Sequence, residues 1–140
     1  MKQRVILDIG PLVAFINGRD KYHNWAVMQW AQIDPPLLTC EAVLSEACFL
    51  LGGHDEGQMA VIELLKRRVL ETPFRLFEHG NRIARLLRKY SNVSMSLADA
   101  CLVLMTELYS ESPVLTLDGD FRIYRKNERQ VIPILSPPEF

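Results

Sequence analysis

The stretch Val5-Ile6-Leu7-Asp8-Ile9-Gly10-Pro11-Leu12-Val13-Ala14 decides how the chain is read. Val5 to Leu7 is a short β-branched and aliphatic run with strand character, and it stops on a carboxylate. Pro11 has the fixed φ and missing N–H that suit the first position of a helix, so a helix is expected through Phe15, with Gly10 as its cap. Asp8 then stands two positions too early to cap it, although a capping role remains its local alternative. A strand that passes directly into a helix opens an α/β unit.

The alternation continues outward from there. A helix carrying Trp25, Met28 and Trp30 must end before Pro35-Pro36, because a residue preceding proline avoids helical geometry. Leu37 to Thr39 reads as a brief strand, Glu41 to Leu51 as an apolar helix closed by Gly52-Gly53, and Glu56 to Arg68 as a helix with Met59, Ile62 and Leu65 at helical spacing. Val69 to Thr72 is expected to be a strand, and Ile83, Leu86 and Leu87 mark the buried stripe of a helix ending near Tyr90. Ser96 opens the next helix, with Leu97, Cys101, Leu104 and Leu108 on one face and Pro113 beyond its end. Val114 to Leu117 and Val131 to Leu135 read as two further strands. The pattern predicts one α/β domain over residues 1–140. Its centre is a mostly parallel sheet of about four to five strands, flanked by helices on both faces.

Composition narrows the function classes. A chain of 140 residues with 49% hydrophobic content buries a core without disulfides, and its net charge of -1 supplies no general field for nucleic acid. Cys40, Cys48 and Cys101 form an odd set without CxxC spacing, which argues against disulfides and zinc. Lys2 and Arg4 precede an apolar run too short for a signal-peptide core, and no stretch reaches membrane-spanning length. A reducing, cytoplasmic setting without membrane contact is expected.

Four acids sit at the ends or in the middle of otherwise apolar elements. Asp8 and Asp118 each follow a strand directly, where ligands of open α/β sheets bind, so parallel pairing of those strands brings them to one edge. Glu46 interrupts Ala42-Val43-Leu44-Ser45-Glu46-Ala47-Cys48-Phe49, surroundings that a carboxylate tolerates when it is paired, coordinates metal or reaches solvent. Asp99 falls in the first turn of the Ser96 helix, at the spacing of a capping box. Asp118-Gly119 is also a good hairpin turn, with Phe121 to Tyr124 as a return strand. Gathered in one pocket, four carboxylates repel, and a divalent cation relieves the repulsion; an all-oxygen set favours magnesium or manganese.

In this order the motifs resemble the PIN-domain family, and within it the short VapC-like ribonuclease toxins of toxin–antitoxin pairs. The opening stretch is similar to that family's first strand and first acid, and Thr39-Cys40-Glu41-Ala42-Val43-Leu44-Ser45-Glu46 to its second motif. Ser96-Leu97-Ala98-Asp99-Ala100 matches the third, and Leu115-Thr116-Leu117-Asp118-Gly119-Asp120-Phe121 resembles the fourth, with Thr116 in support and Asp120 as an auxiliary ligand. Ile9 stands where relatives often have serine or threonine, and Ser96 where many have a further aspartate.

The resemblance implies a PIN-like fold in which Asp118 leads into a loop or short helix rather than a hairpin. It also implies an Mg2+- or Mn2+-dependent ribonuclease with Asp8, Glu46, Asp99 and Asp118 as metal ligands, a cognate antitoxin and a homodimer. Water would attack the phosphodiester without a covalent enzyme intermediate.

Arg122, Arg125 and Lys126, with Arg129, follow the fourth acid and are candidates for gripping RNA phosphates. Arg82, Arg85, Arg88 and Lys89 fit the exposed face of an amphipathic helix better than a second binding stripe. His23, His54 and His79 are scattered and have no catalytic pairing, while Trp25 and Trp30 suit core or a protein interface. Rival readings are a silent module that binds RNA or protein, and a structure-specific DNA nuclease. A phosphotransferase of the haloacid-dehalogenase type ranks below both, because Gly10 occupies the place of its second aspartate.

Overall fold

The computed structural model describes residues 4–52 and 56–140; Lys2, Gly53 and His54 lie outside them. In chain order the elements are β1 (Ile6–Leu7), α1 (Ile9–Ile16), α2 (His23–Gln32), β2 (Leu37–Leu38), α3 (Glu41–Leu50), α4 (Gly57–Lys66), β3 (Leu70–Glu71), α5 (Gly80–Lys89), α6 (Leu97–Leu108), β4 (Val114–Leu115), β5 (Arg125–Lys126), β6 (Gln130–Val131) and β7 (Ile134–Leu135). Short 3-10 turns occupy Leu76–His79, Ser91–Val93 and Gly119–Arg122.

The main sheet has five strands in the order β3-β2-β1-β4-β7, and every neighbouring pair in it is parallel. Ile6 lies opposite Leu38 on one side and Val114 on the other, so β1 is central. The chain moves outward from β1 through β2 to β3, then returns past β1 to β4 and β7. Right-handed crossovers put the outward and returning helices on opposite faces. Winding therefore reverses between β1 and β4, and a crevice opens beyond the carboxyl ends of strands at such a switch point.

The expected α/β architecture is present, with three differences of detail. First, α1 begins at Ile9 rather than after Gly10: Asp8 is its N-cap, and the Asp8 side chain accepts a hydrogen bond from Ile9 N–H at 2.8 Å. Pro11 thus occupies the third helical position, where the missing N–H had no helical partner to lose. Gly10 has another task, since a Cβ there would lie 3.1 Å from Leu117 Cβ; the β1–α1 junction and the chain after β4 meet at that point.

Second, the stretch expected as one strand from Val131 to Leu135 is divided. Val131 pairs antiparallel with Arg125 in a separate two-stranded sheet, and only Ile134–Leu135 joins the main sheet beside β4. Asn127 and Glu128 turn the β5–β6 hairpin with φ of 48° and 72°. Asparagine favours that left-handed region and glutamate does not, which hides the turn from a reading of composition. The hairpin at Asp118-Gly119 does not form, because Asp118 Oδ1 accepts from Asp120 N–H at 2.9 Å and starts the Gly119–Arg122 turn.

Third, α6 is not a helix with a single apolar stripe. Every residue from Ala98 to Thr106 is buried, whereas Leu97 and Leu108 at its ends are 43% and 44% exposed. It packs against β1, α3, α5 and β5, so no side of its central turns reaches water. Trp30 stacks on Phe15 with centroids 4.1 Å apart, and both tryptophans pack against the core. Cys40 and Cys101 are buried, Cys48 is half-buried and all three are free.

Leu102 is fully buried at the centre of α6. Leu102→Ala is expected to destabilise the fold by about 2–5 kcal/mol, seen as a lowered urea midpoint with an unchanged slope; a shift within error of zero would contradict the buried position of α6.

Candidate active site

Each acid reaches the crevice from a different element. β1 ends on Asp8, whose backbone N–H donates to Leu115 O at 3.0 Å and extends the ladder one residue past the strand. Asp8 as a whole residue is 4% exposed. Oδ1 accepts from Ile9 N–H, and Oδ2 accepts from the Thr116 hydroxyl at 2.7 Å. Thr116 in turn accepts from Asp118 N–H at 2.9 Å, so one hydroxyl ties the ends of β1 and β4 together.

Asp99 enters from the first turn of α6. The capping box anticipated from spacing is formed: Ser96 Oγ accepts from Asp99 N–H at 3.0 Å, and Asp99 Oδ2 accepts from Ser96 N–H at 3.3 Å. The same carboxylate also accepts from the Tyr124 hydroxyl at 3.0 Å. Tyr124 was not anticipated. It is fully buried and packs edge-on against Tyr90 and Phe121. A buried phenol needs a partner for its O–H, but no local rule points 25 residues back along the chain to Asp99.

Asp8, Glu46, Asp99 and Asp118 line one cleft of about 360 Å³, with Ser96 and Leu50 beside them. None of its lining residues is a lysine, arginine or histidine. Glu46 corrects part of the sequence reading: it is exposed, and so are its apolar neighbours Phe49 and Leu50 on α3, so its surroundings do not force it to be paired. Asp120 is half-buried and outside the lining of the cleft; its N–H is bonded to Asp118.

The crowding has electrostatic consequences. Burial pushes the Asp8 carboxyl up to about 7, opposed by the Thr116 and Ile9 hydrogen bonds and reinforced by the charges of Asp99 and Asp118. Burial also raises Asp99, against the Ser96 and Tyr124 bonds. Tyr124 is raised as well, by burial first and then by the Asp99 charge.

The donor set suits a hard divalent cation: all-oxygen, anionic and without a competing basic group in the lining. Among the described residues, however, no three carboxylates stand close enough together to enclose an ion as they lie. The acids line a shared cleft rather than a tightly drawn coordination sphere.

The cations after Asp118 have partners within the chain. Lys126 is buried, and its Nζ donates to Ser110 O at 2.8 Å. Arg125 Nη1 donates to the carbonyls of Arg122, Ile123 and Tyr124, and Arg122 Nη2 to Phe140 O at 2.6 Å. As folded, these side chains donate to backbone carbonyls, and Arg122 ties down the carboxyl-terminal residue.

A family model described as PIN domain matches residues 5–127. The chain belongs to the PIN-domain family. No curated protein matches it in sequence. Among solved structures this PIN domain is similar to the Mycobacterium tuberculosis toxin VapC20, described as a sarcin-ricin loop cleaving toxin. The TM-score is 0.73 and the identity 21%, covering 92% of this chain and 99% of that one. At that identity the likeness establishes the fold. No helix among the described residues is long and apolar enough to cross a membrane.

Asp8 gives a signed test. Between the ordinary carboxyl value of 3.8 and about 7, the folded protein keeps a proton that the unfolded chain has released. Metal-free stability should therefore fall as pH rises through that window and then level off. Asp8→Asn, which removes the titration, is expected to flatten this slope and raise the melting temperature at pH 8. Identical pH slopes in the two proteins would show that Asp8 is not the strained group.

Proposed function

We propose that this PIN-domain chain is a metal-dependent endoribonuclease, the toxin of a toxin–antitoxin pair, working in the cytoplasm with residues 1–140 as one unit. One observation carries the reading: carboxylates from four separate elements line a single cleft at the switch point of the sheet, with no cation in the lining to neutralise them. A structural ion-pair network would include the positive partners that this cleft lacks.

Asp8, Glu46, Asp99 and Asp118 are the residues that would hold Mg2+ or Mn2+. Bound there, the metal supplies a nucleophilic water at neutral pH and offsets charge developing on the phosphate. The protein's part is orientation. Thr116 fixes the rotamer of Asp8, and Tyr124 with Ser96 fixes Asp99. Glu46, exposed on α3, retains the freedom to swing toward a metal and complete the set. Leu50, 59% exposed, forms part of the cleft wall and leaves an apolar edge for a partner.

An antitoxin and a second copy of the chain are the proposed protein partners, and exposed apolar residues support this. Phe49 and Leu50 on α3, Met59 and Ile62 on α4, and Met28 on α2 are 45% to 83% exposed. A segment covering Phe49 and Leu50 would also cover the mouth of the cleft. VapC20 is described as cleaving the sarcin-ricin loop. For this chain the substrate class proposed is structured RNA.

The test is cleavage of RNA and of DNA of the same sequence, with Mg2+, Mn2+ or chelator. RNA cleavage that requires metal is expected, with Asp99→Asn inactive but folded, because asparagine still accepts the capping hydrogen bonds. Metal-independent cleavage, or full activity in Asp99→Asn, would overturn the proposal, and preferential cleavage of DNA would replace it with a DNA nuclease. Thr116→Val should lower RNA cleavage roughly 10- to 100-fold, the usual cost of losing a group that orients a metal ligand. Undiminished activity would remove Thr116 from the site.

A further inference from the structure

The helix α5 carries Arg82, Arg85, Arg88 and Lys89 and no acidic residue between Gly80 and Lys89. Amphipathicity accounts for their exposure, since Ile83 is the buried residue of the helix. It does not account for what surrounds them. Two adjoining clefts share Arg82 and Arg85 in their walls. One, of about 320 Å³, runs between α5 and the β5–β6 hairpin and also contains Lys89 and Asn127. The other runs on past the start of α5 to Phe77 and His79.

Two of the cations are held in place. Arg82 is ion-paired with Glu107, and Lys89 Nζ donates to Glu128 O at 2.9 Å. Glu107 is further occupied by Asn127 N–H, and Glu78 at the other end is paired with Arg75. Of the three acids that border these clefts, Glu107 and Glu78 are engaged and Glu128 lends its backbone carbonyl to Lys89, while Arg85, exposed and in both walls, has no ion pair among the described residues.

Phe77 is 95% exposed, an extreme value for a phenylalanine. Its cleft neighbours are polar or charged, Glu78, His79, Asn81, Arg82 and Arg85 among them, and the one large exposed apolar residue beside it in the turn is Leu76, at 41%. An exposed ring beside cations is a combination that holds unpaired nucleotides: the cations take the phosphates and the ring takes a base face.

We propose that Phe77 and the basic face of α5 form a second RNA-holding surface, apart from the acidic cleft, in which Arg82, Arg85 and Lys89 contact phosphates and Phe77 stacks an unpaired base. The inference rests on the RNA reading of the acidic cleft and extends it. Asp99 lies in the first turn of α6 and Glu107, which anchors Arg82, near its end. At the helical rise per residue Asp99 and Glu107 are about 12 Å apart along that axis. An RNA long enough to reach both surfaces would be held at a fixed offset from the point of cleavage.

The test is fluorescence anisotropy in chelator, with a labelled 20-nucleotide single-stranded RNA of mixed sequence and the same RNA as a duplex. Phe77→Ala should weaken single-strand binding roughly tenfold and duplex binding much less. Arg85→Ala should lower the slope of log affinity against log salt by about one, and Arg85→Lys should restore it. Both sites are exposed, so folding is checked by unchanged melting temperatures. Wild type that fails to bind RNA, or variants that bind like wild type, would overturn the second surface. So would loss of self-association in sedimentation with RNA affinity unchanged, which would make Phe77 a protein contact. RNA cleavage by a protein whose affinity ignores both residues defeats this surface alone; binding that depends on them without metal-dependent cleavage defeats the nuclease reading alone.

Discussion

A hydroxyl group has one proton to give and lone pairs to receive, and Thr116 uses both at the point where the sheet reverses its winding. It donates to the buried Asp8 carboxylate and accepts from the Asp118 amide. The bridge requires β1 and β4 to be parallel and in register, with Leu7 opposite Leu115, so that the residues after each strand emerge side by side. A slip of one residue would turn Thr116 toward the other face of the sheet and leave Asp8 buried without its donor. The cleft is therefore a consequence of strand register before it is a property of the acids.

The second constraint is α6. A helix buried along nearly its whole length cannot shift without disturbing β1, α3, α5 and the small hairpin around it. Its amino terminus carries Asp99, which serves as a helix cap and faces the cleft at the same time. Capping and site formation are not competing explanations here. A carboxylate has enough lone pairs to accept from Ser96 N–H and the Tyr124 hydroxyl and still present an oxygen to the cleft.

These arrangements work against stability in the absence of a cation. Burial first, and then the charges of neighbouring acids, raise Asp8 and Asp99, so ionising them costs stability that no basic group in the lining offsets. Strain of this kind persists where the surrounding structure over-determines the geometry, and it is common at sites that act on a ligand. Elsewhere many charges are satisfied locally: Lys126 and Arg125 end on backbone carbonyls, Arg82 on Glu107 and Lys89 on the Glu128 carbonyl, while Arg85 of α5 is exposed with no ion pair among the described residues.

The sequence by itself determined the alternation of strands and helices, the acids that follow β1 and β4, the capping motif at Ser96 and the family resemblance, because each rests on residues within a few positions of one another. Contacts between distant segments left no such trace. The bond from Thr116 to Asp8 joins residues 108 apart, and Tyr124 reaches Asp99 from a turn that no local signal connects to it. The division of 131–135 between two sheets and the exposure of Glu46 were likewise decided by packing. Local pattern sets which face and which period an element has. Only tertiary pairing decides which ends meet, because the free energy of those meetings comes from groups the chain brings together after its elements have formed.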